Sequence, residues 1–570
     1  MPDCSKLFIA PSSTITEAMD AIARAARERL PSGIALVTEA DGTLLGVVTD
    51  GDIRRGMLAG HRLDETVDQI MTRDPIVFHT SMSPRDILNE IPRVLAEKGR
   101  YRGGVLEKVI LVDEHNRVVE VLNFLDLTRQ QSVLHRRVCV VGMGYVGLTL
   151  AVTLADVGFE VIGVERVADV RQTLASGYPH FHEVGLEPML RYHMGGRLII
   201  EAQPVPEADV YIIAVGTPLN GHKQPDLDYV RAAAEDVGAV LSYGDLVVLR
   251  STVPFGTCRS EVLPILERQS GLTCGRDFHL AFAPERTLEG KALAELRSLP
   301  QVVGGFDQHA TDLTATLFRE ITPSIVTVDS LEEAEMVKLV NNGFRDLIFA
   351  YANELSLICE RFNLNTNRII YAANEGYPRT PVPSPSPGVG GSCLTKDPHI
   401  FTQVAHAADV NPCLSEIGRQ VNEKMPSVLV DKIIRTLTAI GKDIAKATIF
   451  IIGFAFKGEP ETSDIRGSTT LDVLDLLKPH GAVFRGYDPV VSPSEIEALG
   501  VQACSLEEGF KGADCVIIMN NHRSYADMDI YACLTSTNRP AVYCDGWYIF
   551  PTEEVKQIEG ITYVGLGFTV

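Results

Sequence analysis

Residues 136–165, RRVCVVGMGYVGLTLAVTLADVGFEVIGVE, decide the fold. An apolar strand runs into Gly142, Gly144 and Gly147, an apolar helix follows, and a second apolar strand ends at Glu165. The first glycine permits a tight turn, the second lets backbone approach a pyrophosphate, and the third allows the helix to pack closely on the sheet. Glu165 follows Gly147 by 18 residues, where a carboxylate accepts the ribose 2′-hydroxyl and repels a 2′-phosphate. Dinucleotide binding follows, with NAD preferred to NADP, although the adjacent Arg166 could accommodate that phosphate. The run 138–155 carries no charge over a length that could nearly span a bilayer, but its spaced glycines read as strand, turn and helix.

Working outward, ADVYIIAVGTP (208–218) and GDLVVLRSTVPFGT (244–257) are further apolar strands followed by turn chemistry, the pattern of a parallel α/β sheet. A helical stretch from about 331 to 361 interrupts it, and a second α/β series begins at 446. The expected fold class is therefore α/β, with two Rossmann-like domains joined by a central helical domain. Upstream, 33–58 and 108–130 each give strand, turn, strand and helix start, which an internal duplication explains. A short basic junction, 131–137, separates them from the glycine turn. The expected domains are 1–131, 135–325, 326–430 and 431–570, within the roughly three or four that such a length predicts.

The net charge of −22 and the lack of a Lys/Arg run exclude a broad nucleic-acid surface. The N-terminus lacks the basic and apolar regions of a signal peptide, so a cytoplasmic protein with no membrane partner is expected. Eleven cysteines without paired spacing suit reduced thiols, and no HExxH or CxxC motif suggests a metal.

Two stretches carry chemistry. In 331–361 the apolar positions wrap more than half of a helix, so packing on at least two sides is expected, while Lys338, Asn342 and Arg345 form one polar stripe. That stripe is either a solvated face or a cation and an amide set to stabilise developing negative charge. The segment SPSPGVGGSCLTKDPHIF (384–401) surrounds Cys393 with loop-forming residues and follows it with Lys396 and Asp397. Such a loop is a poor core element.

The motifs GMGYVG, AVGTP, STVPFGT, APERTLEG, AEMVKLVNNGFR, GVGGSCLTKDP and GFAFKG…SDIRGS occur in that order over roughly 136–570. In this they resemble the nucleotide-sugar 6-dehydrogenases, and the resemblance implies a homodimer or higher homo-oligomer that oxidises a sugar C6 alcohol to a carboxylate with two NAD. It also implies the roles. Asp397 and Lys338 organise removal of the hydroxyl proton, and Lys338 and Asn342 stabilise the oxyanion. Cys393 adds to the aldehyde, and the resulting thioester is hydrolysed with Glu289, Glu285 and a water on Thr252. Cofactor contacts would come from Gly142, Gly144, Tyr145, Val146, Gly147, Glu165, Thr217, Pro218, Ser251, Thr252 and Arg466. Those to a UDP-sugar would come from Glu285, Lys338, Gly388, Gly390, Gly391, Phe456 and Lys457, the glycines letting backbone approach the sugar.

Departures are also visible. DGWYIF (545–550) places Trp547, the single tryptophan, where many members carry an arginine. Leu394-Thr395 replaces an aromatic or proline, and position 170, five after Glu165, is neither Lys nor Arg. Val389, Pro398 and the PER at 284–286 resemble the N-acetylhexosamine branch more than the UDP-glucose branch, which is the alternative. A catalytically silent nucleotide and UDP-sugar sensor, and a one-step NAD oxidoreductase, are the other readings.

The N-terminal halves resemble a tandem pair of CBS modules. By that resemblance Thr49 and Asp52, with Asn123 and Asp126 in the second copy, would hold the ribose of an adenine nucleotide at helix N-termini. The alternative is that these residues only cap helices and offset their dipoles.

Overall fold

The computed structural model describes residues 4–27, 31–80, scattered positions between 82 and 95, 108–123 and 136–569. It divides into two compact units, 1–135 and 136–570.

The first unit carries the repeat in its strand pairing. Phe8–Ile9 pairs parallel with Ile34–Thr38, which pairs antiparallel with Leu44–Thr49. Val77–His79, Lys108–Val112 and Val118–Asn123 repeat that order, and the register slips at the equivalent place in each hairpin, Val37/Thr38 and Leu111/Val112. The hairpin turns meet, with Leu44 N donating to Asn116 O at 2.9 Å. Asp126 and residues 131–135 of the expected junction lie outside the described residues.

In the second unit the first sheet has eight strands, in the order Ile325–Thr327, Gln301–Gly305, His279–Phe282, Leu246–Leu249, Val210–Ile213, Arg137–Val141, Glu160–Val164, Leu198–Glu201. All neighbours are parallel except His279–Phe282 with Gln301–Gly305. The chain leaves Arg137–Val141 toward one edge and returns to Val210–Ile213 on its other side. That reversal opens a crevice at the carboxyl ends of these two strands, the place where such sheets take ligands. The second sheet has seven strands, Gln502–Ala503, Val483–Tyr487, Thr448–Ile452, Cys515–Ile518, Ala541–Asp545, Ile561–Gly565 and Phe568–Thr569, parallel but for the last hairpin.

Between the sheets lies a long helix, Leu331–Arg361, capped by Ser330, whose side chain accepts from Glu333 N. It packs on Cys413–Ala439 and Asp397–Ala407. Helix Cys413–Ala439 runs unbroken through the expected boundary at 430/431, because Leu429, Ile433 and Leu437 are buried in the core of the last domain. The long helix also departs from expectation on one side. Val340, Phe344 and Tyr351 are 50%, 65% and 58% exposed, so within a single chain part of the apolar wrap is bare. Among the described residues no helix is long and apolar enough to cross a membrane.

Candidate active site

At the crevice, Gly142 has φ of +96°, and a Cβ there would lie 2.9 Å from Ala214 O, so only glycine fits the turn. A Cβ on Gly147 would lie 1.8 Å from Gly142 O, which holds helix Tyr145–Val157 tight on the sheet. A Cβ on Gly144 would meet nothing within 4 Å. The helix N-terminus therefore faces open space, the cradle a pyrophosphate needs. Glu165 sits at the tip of the next strand, one oxygen accepting from Val167 N at 2.9 Å and the other from Met143 N at 3.3 Å. Arg166 is turned away, paired with Asp236 at 2.5 Å. Arg171, six residues after Glu165, donates to the carbonyls of Glu165 and Arg166 at 2.8 and 2.7 Å. These residues fit NAD: room for the diphosphate and an acceptor for the ribose hydroxyls, with the nearest guanidinium already engaged.

Tyr145 is occupied elsewhere. Its hydroxyl donates to buried Glu183, which also accepts from Gly290 N at 2.6 Å and Ala292 N at 2.8 Å. Burial and that carboxylate push the phenol well above its usual range. Tyr145 thus fixes the 289–292 segment against the dinucleotide helix. Val146 follows in the first helical turn, Ser251 Oγ donates to Val215 O at 2.7 Å, and Thr217 Oγ donates to Thr252 O at 2.7 Å. Thr217 Oγ in turn accepts from Lys396 at 2.7 Å, so the cysteine loop is tied to the GTP turn of Thr217 and Pro218.

A cleft of about 330 Å³ lies between the domains of this unit, lined by Glu289, Lys338, Asn342, Cys393, Lys457 and Trp547, among others. The polar stripe of the long helix is its floor. Lys338, 8% exposed, donates to Glu285 O, and Asn342 Nδ2 donates to Asp397 Oδ2 at 2.5 Å. Asp397 opens helix Asp397–Ala407, is fully buried, keeps Oδ1 without a hydrogen-bond partner and lies 3.6 Å from Lys396. Cys393 presents surface to the cleft yet is enclosed on its other sides by protein. Desolvation raises its thiol pKa, offset by Lys338 and Lys396 and reinforced by Asp397 and Glu289. Glu289 is pushed up to about 7 by burial and by Asp464, against the attraction of Lys457 and Arg466. Its Oε2 is buried without a partner. Lys457 donates to Glu289 O at 2.5 Å and is lowered to about 8, chiefly by burial.

Glu285 departs from the role the motif implies. Its carboxylate is closed off by buried Arg250 and by Thr287 N at 2.7 Å, and only its carbonyl reaches the site, through Lys338. Burial is the largest influence and raises the carboxyl pKa, but Arg250, Thr287 and Lys338 together outweigh it and the net shift is down. Breaking this pair would leave a buried charge uncompensated, a loss of about 3–5 kcal/mol. The loop glycines depart too. A Cβ on Gly388, Gly390 or Gly391 would meet Thr469 Cγ2 at 2.9 Å, Gly467 O at 2.6 Å or the Phe456 ring at 2.7 Å. Their lack of a side chain serves packing on the last domain, while their backbones line the cleft. Arg345 lines the cleft but is exposed; Arg466 is exposed and forked onto Asp464 at 2.7 Å. Sequence reasoning missed Asp346, Asn353, Arg419 and Asn422, a buried polar network behind the cysteine loop. Polar residues at helical spacing in two long helices were the available signal.

In the N-terminal unit Thr49 and Asp52 form a reciprocal cap on helix Asp50–Leu58. Asp52 also accepts from Arg55 and from Thr72 at 3.3 Å. Asn123 Oδ1 accepts from Lys108 at 2.6 Å.

A dinucleotide crevice facing a cleft that holds a cysteine, a lysine and an acid–amide pair defines an NAD-dependent oxidoreductase. Comparison with known proteins narrows this to the nucleotide-sugar dehydrogenases. Models of the UDP-glucose/GDP-mannose dehydrogenase family match 136–322 (NAD binding domain), 332–424 (central domain) and 450–552 (UDP binding domain), and a CBS domain model matches 4–59. The chain belongs to the UDP-glucose/GDP-mannose dehydrogenase family, with a CBS domain at its N-terminus. It is 32% identical over 434 residues to the UDP-N-acetyl-D-mannosamine dehydrogenase of Pyrococcus horikoshii, covering 76% of this chain and 99% of that one. It is 30% identical over 428 residues to the UDP-N-acetyl-D-glucosamine 6-dehydrogenase of Salmonella typhi, covering 73% and 97%. Among solved structures, that of UDP-D-ManNAc dehydrogenase from Pyrococcus horikoshii superimposes with a TM-score of 0.69 at 31% identity, covering 76% of this chain and 99% of that one. A UDP-glucose dehydrogenase from Pyrobaculum islandicum gives 0.67 at 29%, covering 76% and 98%.

Proposed function

We propose that the protein oxidises C6 of a UDP-N-acetylhexosamine to the carboxylate in two steps at one site, with the aldehyde held covalently between them. The observation that carries this is the convergence of Cys393, Lys338 and Glu289 on one cleft, with Asn342–Asp397 behind them. When bound at the glycine turn, NAD would supply the hydride acceptor, one molecule for each oxidation. In the first, Asp397 takes the hydroxyl proton while Lys338 and Asn342 donate to the oxygen as it gains charge. Cys393 Sγ then bonds to the aldehyde carbon, and its proton goes to the carbonyl oxygen. Loss of that proton and the second hydride leaves a thioester. Ionised Glu289 removes a proton from water, which adds to the thioester carbonyl; the C–S bond breaks and the thiolate is regained. N-acetylhexosamine is favoured over glucose by Val389, Pro398 and the Pro284-Glu285-Arg286 sequence, and by the names of the relatives.

The bare apolar side of the long helix, where Val340 and Phe344 line a depression with Leu414 (70% exposed) and Tyr351 is exposed further along, fits a second copy of the chain. A cytoplasmic homodimer supplying an uronic acid precursor to polysaccharide synthesis accords with this. At the N-terminal unit the mutual engagement of Thr49 and Asp52 favours capping over nucleotide binding; a melting shift with AMP, ADP or ATP would overturn that.

The deciding assay counts NADH per sugar with UDP-N-acetylglucosamine, UDP-N-acetylmannosamine and UDP-glucose. Two NADH per N-acetylhexosamine is expected, one indicates simple alcohol oxidation, and none with any of them defeats the proposal. Cys393→Ser should stop net uronate formation while NAD binding persists.

A further inference from the structure

Arg419 lies on helix Cys413–Ala439, is 4% exposed, and takes hold of the cysteine loop on both sides of the nucleophile. Its Nη1 donates to Leu394 O at 2.8 Å and its Nη2 to Val389 O at 3.3 Å. Nη1 also donates to Asp346 Oδ1 at 2.9 Å. Asp346 stands one helical turn beyond Asn342 and two beyond Lys338, so the helix that carries the oxyanion donors also anchors the guanidinium. Asn422, one turn after Arg419, donates to Asp346 O at 2.9 Å and Oδ1 at 2.8 Å. Asn353 donates to Asn422 at 2.9 Å and accepts from Ser386 N at 2.8 Å. Loop positions 386, 389 and 394 are thus pinned to two helices, and Cys393 is carried between the last two.

We propose that Arg419 is the positioning residue of the reaction, holding Cys393 at the distance from Lys338 at which the thiol attacks the aldehyde. The proposal rests on Cys393 being the nucleophile. A buried ion pair is weak evidence for stability, since apolar residues could fill the same volume. What apolar filling could not supply is a planar fork spanning two carbonyls five residues apart. Lysine, a point charge, keeps the pairing with Asp346 but cannot make both loop bonds.

Arg419→Lys and Asp346→Asn test this, the second leaving the fork in place on the loop. Iodoacetamide alkylation of Cys393, followed by peptide mass spectrometry across pH, reads thiol position without depending on the sugar. Lys338 and Lys396 both favour the thiolate, so a displaced Cys393 should react only at higher pH. The expected result for Arg419→Lys is a Cys393 profile moved to higher pH, a rate at pH 7 reduced about 10-fold to 100-fold, and kcat reduced alike with KM for sugar and NAD unchanged. Exposed Cys413 should react as in the wild type. Asp346→Asn should keep most of the Cys393 reactivity. Wild-type Cys393 kinetics in Arg419→Lys, or an equal loss in Asp346→Asn, would overturn the clamp. Persistence of uronate formation in Cys393→Ser would instead defeat the nucleophile reading, leaving the alkylation result to judge the clamp alone.

Discussion

Asn342 Nδ2 and Asp397 Oδ2 are 2.5 Å apart, and this bond joins the long helix to the first turn of helix Asp397–Ala407 at the back of the cleft. The amide is oriented by the carboxylate, whose second oxygen, Oδ1, makes no hydrogen bond and lies 3.6 Å from Lys396 Nζ, leaving it able to take a proton. Asp397→Asn removes that acceptor while preserving shape, and kcat is expected to fall about 10²- to 10⁴-fold with KM for NAD unchanged. Steady-state kinetics at saturating NAD check this; a kcat within threefold of the wild type would remove Asp397 from the proton transfer.

Much of this arrangement was legible because it is periodic or local. Lys338 and Asn342 show in the helical spacing, Gly142 and Gly147 in turn chemistry, and Cys393 in a loop too rich in glycine and proline to be core. What was not legible depends on contacts distant in sequence. That Glu285 faces Arg250, that Gly391 is crowded by Phe456, and that Arg419 reaches back to Leu394 are consequences of packing, which no local pattern encodes. Helix Cys413–Ala439 runs across the expected 430/431 boundary for a related reason, since the burial of Leu429, Ile433 and Leu437 in the core of the last domain depends on distant strands.

Cofactor preference turns on the Arg166–Asp236 pair beside Glu165. With Asp236 holding the guanidinium, Glu165 would be the group left to meet the ribose, and it would repel a 2′-phosphate. Asp236→Ala with Glu165→Ala should free Arg166 and remove the repulsion, narrowing the kcat/KM preference for NAD over NADP by about tenfold or more. Parallel kinetics with the two cofactors decide it, and an unchanged ratio would show that the preference lies elsewhere.

Trp547 lines the cleft and would report binding of the proposed sugar nucleotide there. Its indole N–H donates to Met519 O at 2.7 Å and its backbone N to Asp545 at 3.0 Å, so the ring is fixed as part of the cleft wall. As the only tryptophan it should change in emission when UDP or a UDP-sugar binds and remain unchanged with NAD alone. Trp547→Phe should retain affinity within a few-fold and Trp547→Ala should lose about tenfold, if ring stacking is what the residue contributes. Equal affinity in both variants would leave it only a wall.

Glu289 gives the pH dependence its sign. Burial first, then Asp464, moves its carboxyl from an ordinary 4.5 to about 7. In the proposed mechanism hydrolysis of the thioester needs the ionised form, so the rate of uronate release should rise with pH through about 7 and then level. Stability runs the other way. Between 4.5 and about 7 the folded chain holds a proton that the unfolded chain has lost, so raising pH across that window favours unfolding. Glu289→Gln cannot ionise and escapes this loss. Relative to the wild type its melting temperature should therefore rise between pH 5 and pH 8, while uronate release falls at least about 100-fold and a thioester accumulates on Cys393. Thermal melts at the two pH values and intact-mass measurement during turnover check both halves. A melting difference that does not change with pH, together with release still rising through pH 7 in the glutamine variant, would assign the titration to another group.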